Sequence, residues 1–120
     1  LDWAEDTDPP SLFVAEGPAD VIALWHAAPG AACIGIPGTQ GVERWARLLA
    51  DMGALIVTDP DEAGDKAAHE LAVTIHEVGG RSARLRPPAD LDDWRREVGA
   101  EGLAAGLQAL ADAADWLEAP

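Results

Sequence analysis

The sequence holds a single cysteine, Cys33, in 120 residues. That excludes a disulfide scaffold and any zinc site built mainly from thiolates, and it points to a reducing, cytoplasmic setting. Positive charge is also scarce. Eight Lys and Arg stand against 22 Asp and Glu, giving a formal net charge of −14, and Lys66 is the only lysine. This balance argues against a broad basic face for nucleic acid. No apolar run reaches the roughly 18 residues that a membrane span needs. No basic segment followed by an apolar core stands near Leu1, so no membrane partner is expected. The chain begins at Leu1 rather than Met, as a piece of a longer protein would. What remains is 48% hydrophobic and 25% charged, enough for one buried core in a chain too short for two.

The excess of acid has two readings. One is a solvated surface that aids solubility; the other is a set of carboxylates converging on divalent cations. Composition does not choose between them, but position does.

Residues 1–10 are acidic and end in Pro9-Pro10, which reads as an N-terminal linker or arm. Beyond them, apolar runs predict strands at Ser11 to Ala15, Ala32 to Ile36, Ala54 to Thr58 and Ser82 to Leu85, the last nearer an edge. Helical spacing falls at Pro18 to about Ala28, Gly41 to Met52, Asp65 to Val78, Leu91 to Val98 and Gly102 to Glu118. Strand alternating with helix implies right-handed crossovers and a parallel sheet with helices on both faces. A domain over 11–100 and a C-terminal helix over 101–120 follow. In such sheets, ligands sit beyond the carboxyl ends of the strands.

The residues just past those ends are therefore the informative ones. Glu16-Gly17 follows the first strand. Gly35-Ile36-Pro37-Gly38-Thr39 closes the second, Asp59-Pro60-Asp61-Glu62-Ala63-Gly64 the third, and Asp90-Leu91-Asp92-Asp93 comes after the fourth. Clustered carboxylates repel one another, and a hard divalent cation removes that cost. Mg²⁺ takes oxygen ligands and joins a few carboxylates to a substrate phosphate. Two such ions about 4 Å apart can clamp both oxygens of a phosphoryl displacement. Singly, each acid has a plainer explanation: Glu16 as an exposed loop acid, and Asp59, Asp61, Asp90 and Asp92 as helix caps or favourable charge at helix starts. Their joint placement at successive strand ends favours the cation.

That pattern resembles the Toprim family over roughly Leu12 to Gly99. The resemblance is carried by Leu12-Phe13-Val14-Ala15-Glu16-Gly17, by Gly35-Ile36-Pro37-Gly38-Thr39 and by Ile56-Val57-Thr58-Asp59-Pro60-Asp61-Glu62-Ala63-Gly64. It implies a Toprim-like (Rossmann-like) α/β fold with a four-stranded parallel sheet. It also implies that Glu16 acts in proton transfer or as a metal ligand, and that Asp59 and Asp61 hold Mg²⁺ or Mn²⁺, two ions in all. Asp20, four residues after Glu16, and the Asp90-Leu91-Asp92-Asp93-Trp94 segment look like the branch of bacterial primases and helicase-primases. Asp90 and Asp92 would then complete the acidic cluster, with Asp20 in support. The glycines Gly17, Gly35 and Gly38, with Thr39, would let backbone approach phosphates.

The activity so implied is Mg²⁺-dependent nucleotidyl transfer. The chain would make primers on a single-stranded DNA template from nucleoside triphosphates, as one module of a replication protein with further domains such as a helicase. The alternatives are a Toprim nuclease of the OLD or ribonuclease M5 kind and a non-catalytic scaffold like RecR. Lys66, Arg84 and Arg86 are candidate nucleic-acid contacts, with a solvated surface the plainer reading for the arginines. The histidines, His26, His69 and His76, have no tied third ligand and read as surface or packing residues. Trp25, Trp45 and Trp94 fall at core positions, and Trp3 and Trp116 outside it.

Overall fold

The centre of the molecule is β3 (Gly53–Val57), five residues buried along their whole length. A strand covered on both faces must be apolar throughout, and Gly-Ala-Leu-Ile-Val meets that demand. The computed structural model describes residues 11–27, 32–36 and 42–117. The expected arm at 1–10 and the loop residues Gly38 and Thr39 lie outside the described residues, as does Trp3.

Around β3 the sheet runs in the order β2-β1-β3-β4-β5, with β1 at Ser11–Ala15, β2 at Ala32–Gly35, β4 at Ser82–Leu85 and β5 at Trp116–Leu117. The first four strands are parallel. Between them run α1 (Pro18–Ala27), a short 3-10 turn at Glu43–Trp45 leading into α2 (Ala46–Asp51), and α3 (Glu62–Glu77). After β4 comes α4 (Leu91–Asp112).

Strand alternation sorts the core into two layers. Phe13, Ala15, Leu55, Val57, Ala83 and Leu85 face α1 and α4, and pack with Leu24, Leu91, Trp94, Leu103 and Leu107. Leu12, Val14, Ala54 and Ile56 face the other way, against Leu49 of α2 and Ala68, Leu71 and Ile75 of α3. Helices on both faces of a parallel sheet are therefore observed. On β4 the same alternation leaves Ser82 and Arg84 on the α3 side.

Besides the 3-10 turn that opens the expected helix before Met52, three details differ from the sequence reading. The sheet has a fifth strand, since Trp116–Leu117 pairs antiparallel with Ser82 and Ala83 instead of ending the last helix. Trp116 accounts for this. Its ring packs over Gly53, where a Cβ would strike it, and stacks 4.2 Å from the Arg81 guanidinium. Covering the sheet with an indole gains more than another turn of exposed alanine helix. Second, Trp25 is exposed, not core, and so is its neighbour Ile22; α1 is apolar nearly all round, so its buried side cannot be read from spacing. Third, α3 starts at Glu62 instead of Asp65, because Asp61 caps it.

The two expected helices after β4 are both present within α4, joined end to end across a kink. Gly99 has φ 76° and ψ 172°, a conformation only glycine adopts without strain. No helix among the described residues is long and apolar enough to cross a membrane.

Candidate functional site

Strand order locates the site. The chain leaves β1 for β2 on one side and then crosses back to β3 on the other. The gap between the carboxyl ends of β1 and β3 is thus a topological switch point, where an open α/β sheet leaves a crevice. Val14 pairs with Ile56, so Glu16, just past β1, and Asp59, just past β3, emerge at neighbouring strand ends.

Their charges interact. Glu16 is held above the usual carboxylate range, first by partial burial and then by the negative charges of Asp59, Asp20 and Asp61, with Arg84 opposing. Burial also raises Asp59, helped by Asp61 and Asp90. Asp20, one turn into α1, is raised by burial and then by Asp59, Asp90 and Asp92. Residues from four separate stretches of chain therefore feel one another's charge at a single edge.

The acids are not equivalent. Asp61 Oδ1 accepts a hydrogen bond from the Gly64 backbone N–H at 2.6 Å and so caps α3. Asp90 Oδ1 accepts from the Asp93 N–H at 2.9 Å and caps α4. That bond is the main reason Asp90 stays below the ordinary carboxylate range, whereas a side-chain hydrogen bond with Asp90, and then its charge, raise Asp93. Asp92 is paired with Arg95 at 2.8 Å and Arg96 at 2.7 Å. Glu16, Asp20 and Asp59 have no side-chain hydrogen bond among the described residues. No three His, Cys, Asp or Glu side chains among the described residues converge closely enough to hold one ion. The acids surround the switch point without meeting at one spot.

The turn that carries Asp59 and Asp61 is built to a tight specification. The Thr58 hydroxyl donates to the Gly64 carbonyl at 2.7 Å. A side chain on Gly64 would overlap the carbonyl oxygen of Asp59, so only glycine fits there. From β4, the Arg84 guanidinium donates to the carbonyls of Thr58 and Asp59 at 3.1 and 3.0 Å. The sequence reading quoted Gly64 without promoting it, and weighed Arg84 as a solvated surface residue or a nucleic-acid contact, not as a tie on the Asp59 turn. The signal for Gly64 was its place one turn after the Asp-Pro-Asp. For Arg84 there was none beyond strand alternation.

The other candidates fall as follows. Arg84 and Arg86 both pair with Asp65 at 3.0 Å, which lowers the Asp65 pKa, mainly through its hydrogen bond from Arg86. Lys66 is exposed on α3. Gly17 has open space where a Cβ would stand, whereas one on Gly35 would press on Val21. An apolar cleft of about 410 Å³ lies beside Glu16, lined by Gly17, Pro18, Val21, Ile22 and Gly35. Cys33 is half-buried, and burial pushes its thiol up to about 11, so it is unreactive. His26 and His69 are exposed and His76 half-buried.

Comparison with known proteins gives the same fold. The chain is similar to the Aquifex aeolicus primase (zinc-binding and RNA polymerase domains), with 22% identity and a TM-score of 0.69, over 88% of this chain and 26% of that one. It is similar to a DNA primase domain from Pseudomonas aeruginosa at 24% identity and TM-score 0.63, covering 89% of this chain and 36% of that one. It also resembles the DnaG primase catalytic domain solved bound to ssDNA, at 23% identity and TM-score 0.63, over 92% and 36% of the two chains. The chain thus spans between a quarter and about a third of the solved primases it matches. No curated protein matches the sequence. A family model described as Toprim-like matches residues 13–97, and with that match over most of its length the chain belongs to the Toprim-like family, as a Toprim domain like that of bacterial primases.

Proposed function

We propose that this chain is the Mg²⁺-dependent nucleotidyl-transfer module of a primase-type DNA replication protein, working on a single-stranded DNA template with nucleoside triphosphates. The observation that carries the reading is the placement of Glu16 and Asp59 at adjacent strand ends of the switch point, where the charge of Asp59 reaches Glu16. Divalent-metal dependence is general among Toprim domains, and the donors gathered here suit it. They are carboxylate oxygens, hard ligands of the kind Mg²⁺ takes, and their mutual repulsion is what a dication relieves.

Glu16 and Asp59 would each offer free oxygens to a bound ion whose remaining positions water and substrate phosphate fill, with Asp20 beside them; no three of the acids among the described residues converge on one ion by themselves. Asp61 would join with the oxygen not engaged by Gly64, and Asp90 and Asp92 would add negative charge behind them. The bound metal supplies charge neutralisation for the triphosphate and its transition state. The protein's part is to aim the acids and hold their backbone still. Glu16, raised by burial and by its neighbours, holds a proton more readily than an ordinary carboxylate and is the acid suited to proton transfer. Lys66 is the exposed cation nearest in sequence to the acidic turn and is offered as a phosphate contact. Template and partner contacts, a helicase among them, belong to a larger, cytoplasmic protein of which this chain is one module.

The test is direct. Titration of the chain with Mn²⁺, followed by electron paramagnetic resonance, should show binding that falls at least tenfold in Asp59→Asn and in Glu16→Gln. Primer synthesis should be assayed in a protein that carries the module with its neighbouring domains, and each variant should abolish it. Unchanged Mn²⁺ affinity in both variants overturns the assignment. Cleavage of single-stranded DNA without nucleotide incorporation would make the module a nuclease, and absence of metal binding would make it a scaffold.

A further inference from the structure

We propose that Arg84 is a positioning residue for the carboxylate site: anchored on Asp65, its guanidinium clamps the turn after β3 and fixes Asp59 beside Glu16. The main-chain ladder between β3 and β4 ends at the Val57–Leu85 pair. The next two carbonyls of the β3 strand line, those of Thr58 and Asp59, therefore have no strand partner. Arg84, paired with Ile56 one step earlier, takes both of them with Nη2, at 3.1 and 3.0 Å. Its Nη1 donates to Asp65 Oδ1 at 3.0 Å. One side chain thus continues the ladder past its end and ties it to the first turn of α3.

This turn needs an external tie. It carries Asp59 and Asp61, two exposed acids two residues apart. Like charges on a short exposed loop push it open. Inside the loop, the Thr58–Gly64 and Asp61–Gly64 bonds hold the far end. Arg84 holds the near end, next to Glu16. The task suits arginine alone: three acceptors lie around one planar fork, and an ammonium is a point charge that cannot span them. Arg86 is the natural control. It grips the same Asp65 through Nε at 3.0 Å and Nη2 at 3.3 Å, but it has no bond to the Asp59 turn.

The functional consequence rests on the metal-site reading above, and the experiment separates the two. Three variants are compared with the wild-type chain: Arg84→Lys, Arg84→Met and Arg86→Lys. Amide exchange at Gly64, whose N–H bonds to Asp61, reports the order of the turn, and Mn²⁺ titration reports the site. Both Arg84 variants should speed Gly64 exchange and weaken Mn²⁺ binding at least tenfold, and Arg86→Lys should change either by less than twofold. If Arg84→Met fails to fold, Arg84→Lys carries the test by itself. Equal exchange and affinity in Arg84→Lys and wild type overturn the proposal. So does faster exchange with unchanged affinity, or an Arg86→Lys effect as large as that of Arg84→Lys. A wild-type chain that binds no Mn²⁺ sinks the metal reading instead, and Gly64 exchange then decides Arg84.

Discussion

At the scale of single residues, the acids of the site do opposite things to stability. Asp61 and Asp90 spend an oxygen on a helix N-terminus, which stabilises the helix they begin. Glu16, Asp20 and Asp59 are all raised, first by burial and then by neighbouring negative charge: Asp59 and Asp20 act on Glu16, Asp59 and Asp90 on Asp20, and Asp61 and Asp90 on Asp59. An acid whose folded-state pKa lies above its unfolded value holds its proton more tightly when folded. It favours the folded state at pH below both values, and that advantage is lost as pH rises through the folded pKa. At neutral pH the charged cluster therefore costs stability. Asp59→Asn should raise the metal-free melting temperature by about 2–4 °C at pH 7, a small shift because exposed charges are screened by solvent. The gain should vanish below the unfolded carboxylate range, about pH 3.5. Asp90→Ala should do the reverse and lower the melting temperature at pH 7, since it removes a cap. Thermal melts by circular dichroism at the two pH values check both signs; a drop in melting temperature for Asp59→Asn at pH 7 would refute the repulsion.

These residues were unequally legible. Glu16 and Asp59 could be placed because an apolar run announces a strand, and the first polar residue after it marks the strand's end. That Asp61 spends an oxygen on a cap was one of two readings that spacing left open. The Arg84 clamp could not be read at all, because it joins residues 25 and 26 positions apart through geometry that no local pattern encodes.

At the scale of elements, the strands were readable to within one residue at each end, since buried parallel strands are short apolar blocks bounded by turn residues. Helix boundaries were less so, because caps set them. Two-residue β5 has no periodicity, and its place depends on Trp116 finding Gly53 and Arg81 far away in the chain. Two glycines test how tightly the elements are specified. Gly99 has open space around it but a positive φ, so Gly99→Ala should cost about 1 kcal/mol from backbone strain alone, or about 3–6 °C in melting temperature. Gly64 has ordinary backbone dihedrals but no room. Gly64→Ala must displace the Asp59 carbonyl, and should cost more than about 2 kcal/mol. It should also lower Mn²⁺ affinity, which Gly99→Ala leaves unchanged. Urea melts paired with metal titration separate the two; equal losses of affinity would mean that the Asp59 turn is not specifically coupled to Gly64.

At the scale of the whole molecule, a net charge of −14 on 120 residues means that the folded state confines negative charge that the unfolded chain can spread out. Raising NaCl should therefore stabilise the metal-free protein, as the screening length falls from about 10 Å at 0.1 M to about 3 Å at 1 M. The surface ion pairs of Asp65 and Asp92 weaken over the same range, but exposed pairs contribute little. Screening depends only on ionic strength, whereas binding depends on the ion. MgCl₂ and NaCl compared at equal ionic strength should thus differ. If the switch point takes Mg²⁺, the excess stabilisation should saturate with concentration, reaching about 2.7 kcal/mol at a hundred times the dissociation constant. The same excess should nearly disappear in Asp59→Asn, which still carries most of the molecule's negative charge and so still responds to NaCl. Identical curves for the two salts in the wild-type protein would mean that its acids act as a solvated surface, and the strand-end carboxylates would lose their claim to a metal.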